Sequence, residues 1–238
     1  MPLPMVHLAI ANKLTNTGLA ISNLPLFYTG SICPDAIHMR PNAEFAEKMA
    51  THLVPAGKTR DSTWNGMSDD DCFRLISDFT GINKGKADTD FLLGYAVHIL
   101  TDMFWTTRVY KKFADDYAKS TRCQFQVVSD TNHLKPEDRQ KAYYRDTDIA
   151  DYLLFSQSPW RGEVWQRLQA AQPSDFLGLL SVGEISLWNR RTLNWYTSPE
   201  NEHKFAGQPI FITKPCIDDF IFSCTQTIFG NIEKVKTL

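Results

Sequence analysis

Residues 91-FLLGYAVHILTDMFW-105 decide the fold. Fifteen residues without a proline, opened by Asp88-Thr89 and running on into the charged YKKFADDYAK, form a helix that is apolar on almost every face. Such a helix is buried all round, so it belongs at the centre of a helical assembly. His98 and Asp102 stand four positions apart within it and therefore share one face. Leu92, Leu93, Ala96, Val97, Ile99, Leu100, Met103 and Phe104 fill most of the other positions. Burying a carboxylate there is costly unless it is paired or bound to metal. Two readings follow: a chelating imidazole–carboxylate pair, or a pair of hydrogen-bonded core residues.

Working outward, apolar residues recur at three- and four-residue spacing through the chain, and no run alternates convincingly as a strand would. The expectation is an all-α, multi-helical single domain over 1–238. A first helix starts at Pro4 and runs towards Leu19, and Asn23–Pro34, with two prolines and a glycine, reads as loop. Asn42–Leu53 is a short helix. Ser68-Asp-Asp-Asp71 is a capping box opening a helix that ends before Gly81, with a Gly/Ser/Thr-rich loop between the two. QFQVV is briefly strand-like before Pro136 opens the next helix. Helices over Trp160–Ala171, Ser174–Tyr196 and Pro215–Val235 complete the set, and SPENEHKFAGQP is a polar surface loop.

The 238 residues are 43% hydrophobic and 12% aromatic, enough to bury a core as one domain. A net charge of −2 from 25 basic and 27 acidic residues argues against bulk nucleic-acid binding. The opening MPLPMVHLAIANKL lacks the basic start of a secretory signal, and its apolar run is shorter than the roughly 20 residues that span a bilayer. Five scattered cysteines without a C-x-x-C pair suit reduced thiols. The expectation is a cytoplasmic protein without a transmembrane segment. Cys33 lies two residues from Asp35 and is a secondary ligand candidate.

Further metal-ligand candidates precede the central helix: His7 in the first helix, Asp35 and His38 in PDAIH, and His52 closing the short helix. Imidazole with carboxylate suits zinc, with manganese or iron as alternatives. In the helix after Pro136, Asp146 falls within the stripe of Ala142, Ile149 and Leu153, while Asp148 and Asp151 point away. Asp146 is thereby a candidate ligand, general base or clamp on a histidine, a helix-internal salt bridge to Arg145 or Arg139 being the poorer geometry. No P-loop, dinucleotide fingerprint, H-E-x-x-H, His-Asp doublet or G-x-S-x-G elbow occurs.

The order His7, Pro34-Asp35, Lys48-x-x-x-His52 and Gly94-x-x-x-His98-x-x-x-Asp102 resembles the zinc-dependent phospholipase C family, which includes the single-strand-specific nucleases. The likeness covers roughly the first 105 residues. It implies an all-α fold with zinc at the bottom of a cleft and a phosphoester or phospholipid substrate. It also implies that Asp35, His52, His98 and Asp102 ligate one zinc, that Asp102 bridges to a second ion shared with His7, and that Asp35 lies near the attacking water. One to three ions fit this pattern, two best. The chain departs from the family in lacking the N-terminal tryptophan ligand and a later histidine pair with an acidic residue. His38, His133 and Asp146 are the candidates to replace those ligands, and His203 in NEHK is solvated. Two other readings stand beside the hydrolase: one metal stapling the helices of a binding module, for which the aromatic-rich WRGEVWQRL and LWNRRTLNWY offer a surface, or a relative that binds no metal. An arginine of the Arg190-Arg191 pair reaching the site for phosphate is a further possibility.

Overall fold

A computed structural model describes residues 3–125 and 136–235. Among them are twelve α-helices: α1 (Pro4–Asn16), α2 (Leu24–Gly30), α3 (Phe45–Ala50), α4 (Arg60–Trp64), α5 (Asp69–Asn83), α6 (Thr89–Phe104), α7 (Lys111–Phe125), α8 (Pro136–Gln157), α9 (Arg161–Ala170), α10 (Val182–Trp195), α11 (Lys214–Gly230) and α12 (Ile232–Val235). The chain is all-α. The described residues contain no strand, only an isolated antiparallel bridge between Phe176 and Leu180.

Helix α6 is the axis. The Asp88 carboxylate caps it by accepting from the Phe91 amide at 3.0 Å, and every residue from Phe91 to Phe104 is buried. Helices α1, α2, α5 and α11 surround it. The helix does not stop at Phe104. A π-helical stretch, Trp105–Tyr110, carries the chain into α7, while the hydroxyls of Thr106 and Thr107 donate back to the Asp102 and Met103 carbonyls at 2.9 and 3.1 Å.

The expected loop over Asn23–Pro34 is mostly helical instead. Asn23 accepts from the Leu26 amide, Pro25 sits in the first turn of α2, and Pro34 sits in the first turn of a 3-10 segment, Cys33–Met39. Neither proline breaks anything, because first-turn amides need no intrahelical acceptor. Gly30 is not a turn residue either. It meets Gly94 where α2 crosses α6: a Cβ on Gly94 would land on the Phe27 carbonyl oxygen and 2.9 Å from the Ser31 amide, and one on Gly30 would strike the Phe91 carbonyl oxygen. The helices can be this close only because both positions lack a side chain.

Other boundaries moved for local reasons. The Gly/Ser/Thr-rich loop contains α4, opened by the reciprocal Thr59/Ser62 cap. The Ser68/Asp71 capping box forms as expected, but α5 runs through Gly81 to Asn83. Leu177 and Gly178 take positive φ (52° and 70°), so α10 starts at Val182 rather than Ser174, behind a Ser181/Glu184 capping box. In SPENEHKFAGQP a 3-10 turn spans Pro199–Phe205. Gln124 and Phe125 of QFQVV lie in α7, and residues 126–128 fall outside the described ones.

Candidate metal centre

Five side chains from four segments converge beside α6. His7 comes from α1, Asp35 from the 3-10 segment, His52 from the turn after α3, and His98 and Asp102 from α6. All are buried, Asp35 the least so at 7% exposure. The Asp102 carboxylate lies between imidazoles: Oδ1 is 3.5 Å from His7 Nε2, and Oδ2 is 3.6 and 3.7 Å from His52 Nε2 and His98 Nε2. Asp35 Oδ1 is 3.3 Å from His52 Nε2. The His7 and His98 rings stack, with centroids 3.9 Å apart.

Each arm of the site is fixed by its own segment. The Gly30/Gly94 crossing brings the Ser31 carbonyl to His98, whose Nδ1–H donates to it at 2.9 Å. His52 Nδ1–H donates to the Lys48 carbonyl at 3.0 Å, and the Tyr95 hydroxyl, from α6, donates to the Thr51 carbonyl next door. Leu53 turns the chain away with φ of 56°. The 3-10 segment bearing Asp35 is clamped by Arg40, which bonds Glu184 at 2.6 Å, Glu47 at 2.8 Å and the Leu179 carbonyl at 2.9 Å.

These bonds assign the ring tautomers. A carbonyl can only accept, so Nδ1 of both His52 and His98 carries the proton and both Nε2 atoms present lone pairs inward. They face carboxylate oxygens, which also only accept. His7 Nδ1 and Nε2, Asp35 Oδ1, His52 Nε2, His98 Nε2 and both Asp102 oxygens are buried with no hydrogen-bond partner. Acceptor facing acceptor in a buried site is repulsive, and a cation between them turns each contact attractive. Backbone-oriented imidazoles with inward Nε2 are also how proteins hold metal. Two overlapping groups have ligand atoms within 4.8 Å of one another, His7/Asp35/His98 and His52/His98/Asp102. The hydrogen-bonded-core reading does not describe this cluster; the residues could hold a metal ion.

The electrostatics agree. Burial lowers the pKa of His7 and of His52, and brings His98 down to about 4, so all three rings favour the neutral, ligating form. Burial pushes Asp102 up to about 6. Burial also acts to raise Asp35, but a proton on His52, His98 or His7 favours its ionised form, and the net direction is below the usual carboxylate range. The two carboxyls are thus driven apart, Asp35 being the one readily ionised.

Asp35 is also where the cluster meets solvent. With His38 it lines a cleft of about 640 Å³ whose other walls include Phe45, Lys48, Arg60, Tyr144, Asp148, Trp188, Arg191, Trp195 and Lys204. A second cavity of about 340 Å³ shares Arg60 and adds Thr106, Arg139 and Tyr143. Arg60 contributes to the Coulombic environment of His52, His98 and Asp102, and its Nε is buried without a partner.

The remaining candidates go elsewhere. His38 stands on the cleft wall, 41% exposed at its side chain, with Nε2 3.9 Å from Asp35 Oδ1, outside both ligand groups. Cys33 is buried, and burial raises its thiol pKa well above the ordinary value, which disfavours a ligating thiolate. His203 is exposed, and His133 lies outside the described residues. Asp146 is absent from both ligand groups: its Oδ2 accepts from the amides of Ile210, Phe211 and Ile212 at 3.0, 2.6 and 3.1 Å, and its Oδ1 pairs with Arg145 at 2.7 Å. The salt bridge to Arg145 that helix geometry disfavoured does form, and the carboxylate pins the chain before α11. Asp151, expected to point away, is instead buried, accepts from the Tyr196 hydroxyl and lies beside the Met5 and Val6 amides at the start of α1. Sequence reasoning passed over Arg60, Lys204 and Asp151, because each acts across the fold rather than along its own helix.

Fold and site together define an all-α protein with a buried His/Asp cluster that could hold a metal ion and that meets a cleft at Asp35. No family model matches this sequence, and no curated protein and no solved structure is significantly similar to it. No helix among the described residues is long and apolar enough to cross a membrane.

Proposed function

We propose that the chain is a metal-dependent phosphoester hydrolase, with zinc as the metal and with the ligand arrangement of the zinc-dependent phospholipase C family that its motif order resembles. The observation that carries this is the convergence of buried polar atoms from His7, Asp35, His52, His98 and Asp102 that find no hydrogen-bond partner, with the Nε2 lone pairs of His52 and His98 turned towards carboxylate oxygens. These five residues fit a metal of borderline softness, with imidazole nitrogens and carboxylate oxygens in one buried cluster. Bound there, zinc would supply Lewis acidity towards a phosphoryl oxygen and would lower the pKa of a bound water to about 7.

The chain's own residues supply the rest. Asp35, ionised and at the floor of the cleft, is placed to accept a proton from an attacking water. His98 and His52 are held in the ligating tautomer by the Ser31 and Lys48 carbonyls. Asp102 offers one oxygen towards His7 and the other towards His52 and His98, which supports two ion positions sharing one carboxylate. Arg60, at the junction of the two cavities, is placed to bind phosphate oxygens. A cleft that reaches the cluster at Asp35 favours catalysis over a structural staple, whose coordination sphere is closed.

The test is elemental analysis of the purified chain, repeated after chelation and zinc re-addition, followed by hydrolysis of bis(p-nitrophenyl) phosphate and p-nitrophenyl phosphate. Metal regained with zinc-dependent turnover is the expected result. Metal retained without turnover on any phosphoester would leave the staple reading, and a chain that takes up no zinc would end both.

A further inference from the structure

The cleft above the metal centre carries four cationic side chains, Lys48, Arg60, Arg191 and Lys204. Among the described residues none of them lies within ion-pair distance of a carboxylate, whereas Arg40, Arg108 and Arg145 elsewhere are each paired. All four line one cleft, and Lys48, Arg191 and Arg60 lie near enough to His38 to lower its imidazole pKa, after burial and against the opposing pull of Asp35. Two carboxylates, Asp35 at the metal centre and Asp148, line the same cleft, so the four cations outnumber them. Four unpaired cations around a concave surface raise the local concentration of anions.

The aromatic wall is already occupied. The Arg191 guanidinium lies 5.3 and 5.0 Å from the Trp188 and Trp195 ring centroids, and Lys204 Nζ lies 4.4 Å from Trp195. Tryptophan faces that could enclose a quaternary ammonium are thus covered by the protein's own cations. A cationic head group entering here meets like charge, while a phosphate meets guanidinium and ammonium donors held on rigid rings.

We infer that the cleft selects phosphoesters bearing a second phosphate, which the rim of Lys48, Arg60, Arg191 and Lys204 holds while the first lies over the metal centre. The inference rests on the hydrolase reading for the position of the first phosphate, but the anion site stands on the rim itself. The ligand is therefore polyanionic, whether presented as a lipid head group or as a soluble ester.

The experiment is calorimetric titration of the full chain, with and without zinc, using glycerophosphocholine and glycerophosphoinositol 4-phosphate. The expected result is at least tenfold tighter binding of the second compound, weakening as salt is raised. In an Arg191→Gln/Lys204→Gln double variant the preference should fall to within about twofold at unchanged zinc content, and Arg191→Lys should keep most of it. Equal affinity for both compounds in the native chain, or a preference that survives the double variant, overturns the inference. Vesicles of phosphatidylcholine with and without phosphatidylinositol 4-phosphate identify the source: selective vesicle binding names the embedded head group, selective binding of the soluble compound alone names the free ester, and either upholds the site. A chain that keeps the preference yet hydrolyses no phosphoester retains the anion site and loses the hydrolase assignment, and one that hydrolyses phosphodiesters with no preference does the reverse.

Discussion

Replacing Asp102 by asparagine should change the sign of its effect on stability according to whether metal is present. Without metal, the carboxylate is buried among acceptors and both of its oxygens lack hydrogen bonds. Its pKa rises from 3.8 to about 6 in the folded state, so the penalty is absent below 3.8 and complete above about 6. At 1.36 kcal/mol per pH unit, ionised Asp102 costs the metal-free fold about 3 kcal/mol at pH 7.5. Asparagine is isosteric, uncharged and brings an N–H₂ donor to Nε2 atoms that have none. Asp102→Asn in chelator should therefore be as stable as the native chain or more stable, by about 1–3 kcal/mol. With zinc the order reverses. Zinc at 100 times its Kd stabilises the native chain by about 2.7 kcal/mol. Loss of a direct ligand weakens binding at least as much as the roughly 100-fold upper range for supporting residues, which leaves about 0.4 kcal/mol at the same zinc concentration. For a chain of this size the zinc-induced rise in Tm should shrink by about 5–9 °C. Thermal unfolding of both proteins at pH 7.5, in chelator and in zinc, measures all four states. An Asp102→Asn chain that is less stable in chelator and keeps the full zinc shift would refute the assignment of Asp102 as a ligand.

Three further substitutions test the supports of the site. Gly94→Ala must force α2 from α6 against backbone atoms, costing about 1–3 kcal/mol and pulling the Ser31 carbonyl from His98; calorimetric zinc titration should show weaker binding, and unaltered affinity would dissociate the crossing from the metal centre. Asp146→Ala strands three amides and should lower stability by roughly 3–5 kcal/mol in urea denaturation while zinc stoichiometry holds, whereas a stable variant without turnover would restore the general-base role. Burial raises Asp151 to about 7 in the fold, so its destabilising ionisation begins above 3.8 and is complete above about 7. Asp151→Asn should then gain on the native chain by up to about 1.4 kcal/mol per pH unit as pH rises from 5 to 7; a stability difference independent of pH contradicts this.

The parts of the molecule legible in the sequence are those governed by local periodicity. An apolar run without a polar face has one place to go, so α6 and the register of His98 and Asp102 followed directly. The helix over Asn23–Pro34 did not, because Pro25, Gly30 and Pro34 are read as breakers unless their positions in the first turn or at a helix crossing are known. The exchange of roles between Asp146 and Asp151 has the same root. A helical stripe shows one buried face, but α8 packs on α1 and α11 and also holds the chain at Ile210–Ile212. Each aspartate found partners far away in sequence, invisible to spacing within α8.

The candidate ligand residues were legible for a different reason: they place imidazole and carboxylate groups among apolar residues, where a polar side chain needs a partner. Around the cluster, Ser68/Asp71, Ser181/Glu184 and Asp88 cap helix starts and the Gly30/Gly94 pair closes a tight crossing. Against that background the same packing brings five buried polar side chains together and leaves their facing atoms without hydrogen-bond partners. A core under selection for stability alone would replace such a cluster with apolar residues and gain by it. The two carbonyl bonds that aim His52 and His98 also deny their Nε2 atoms a proton, so the scaffold actively keeps the cluster repulsive when empty of cations. Seven unpartnered buried polar atoms concentrated on five side chains at one cleft-facing cluster are the pattern expected when stability is given up for binding.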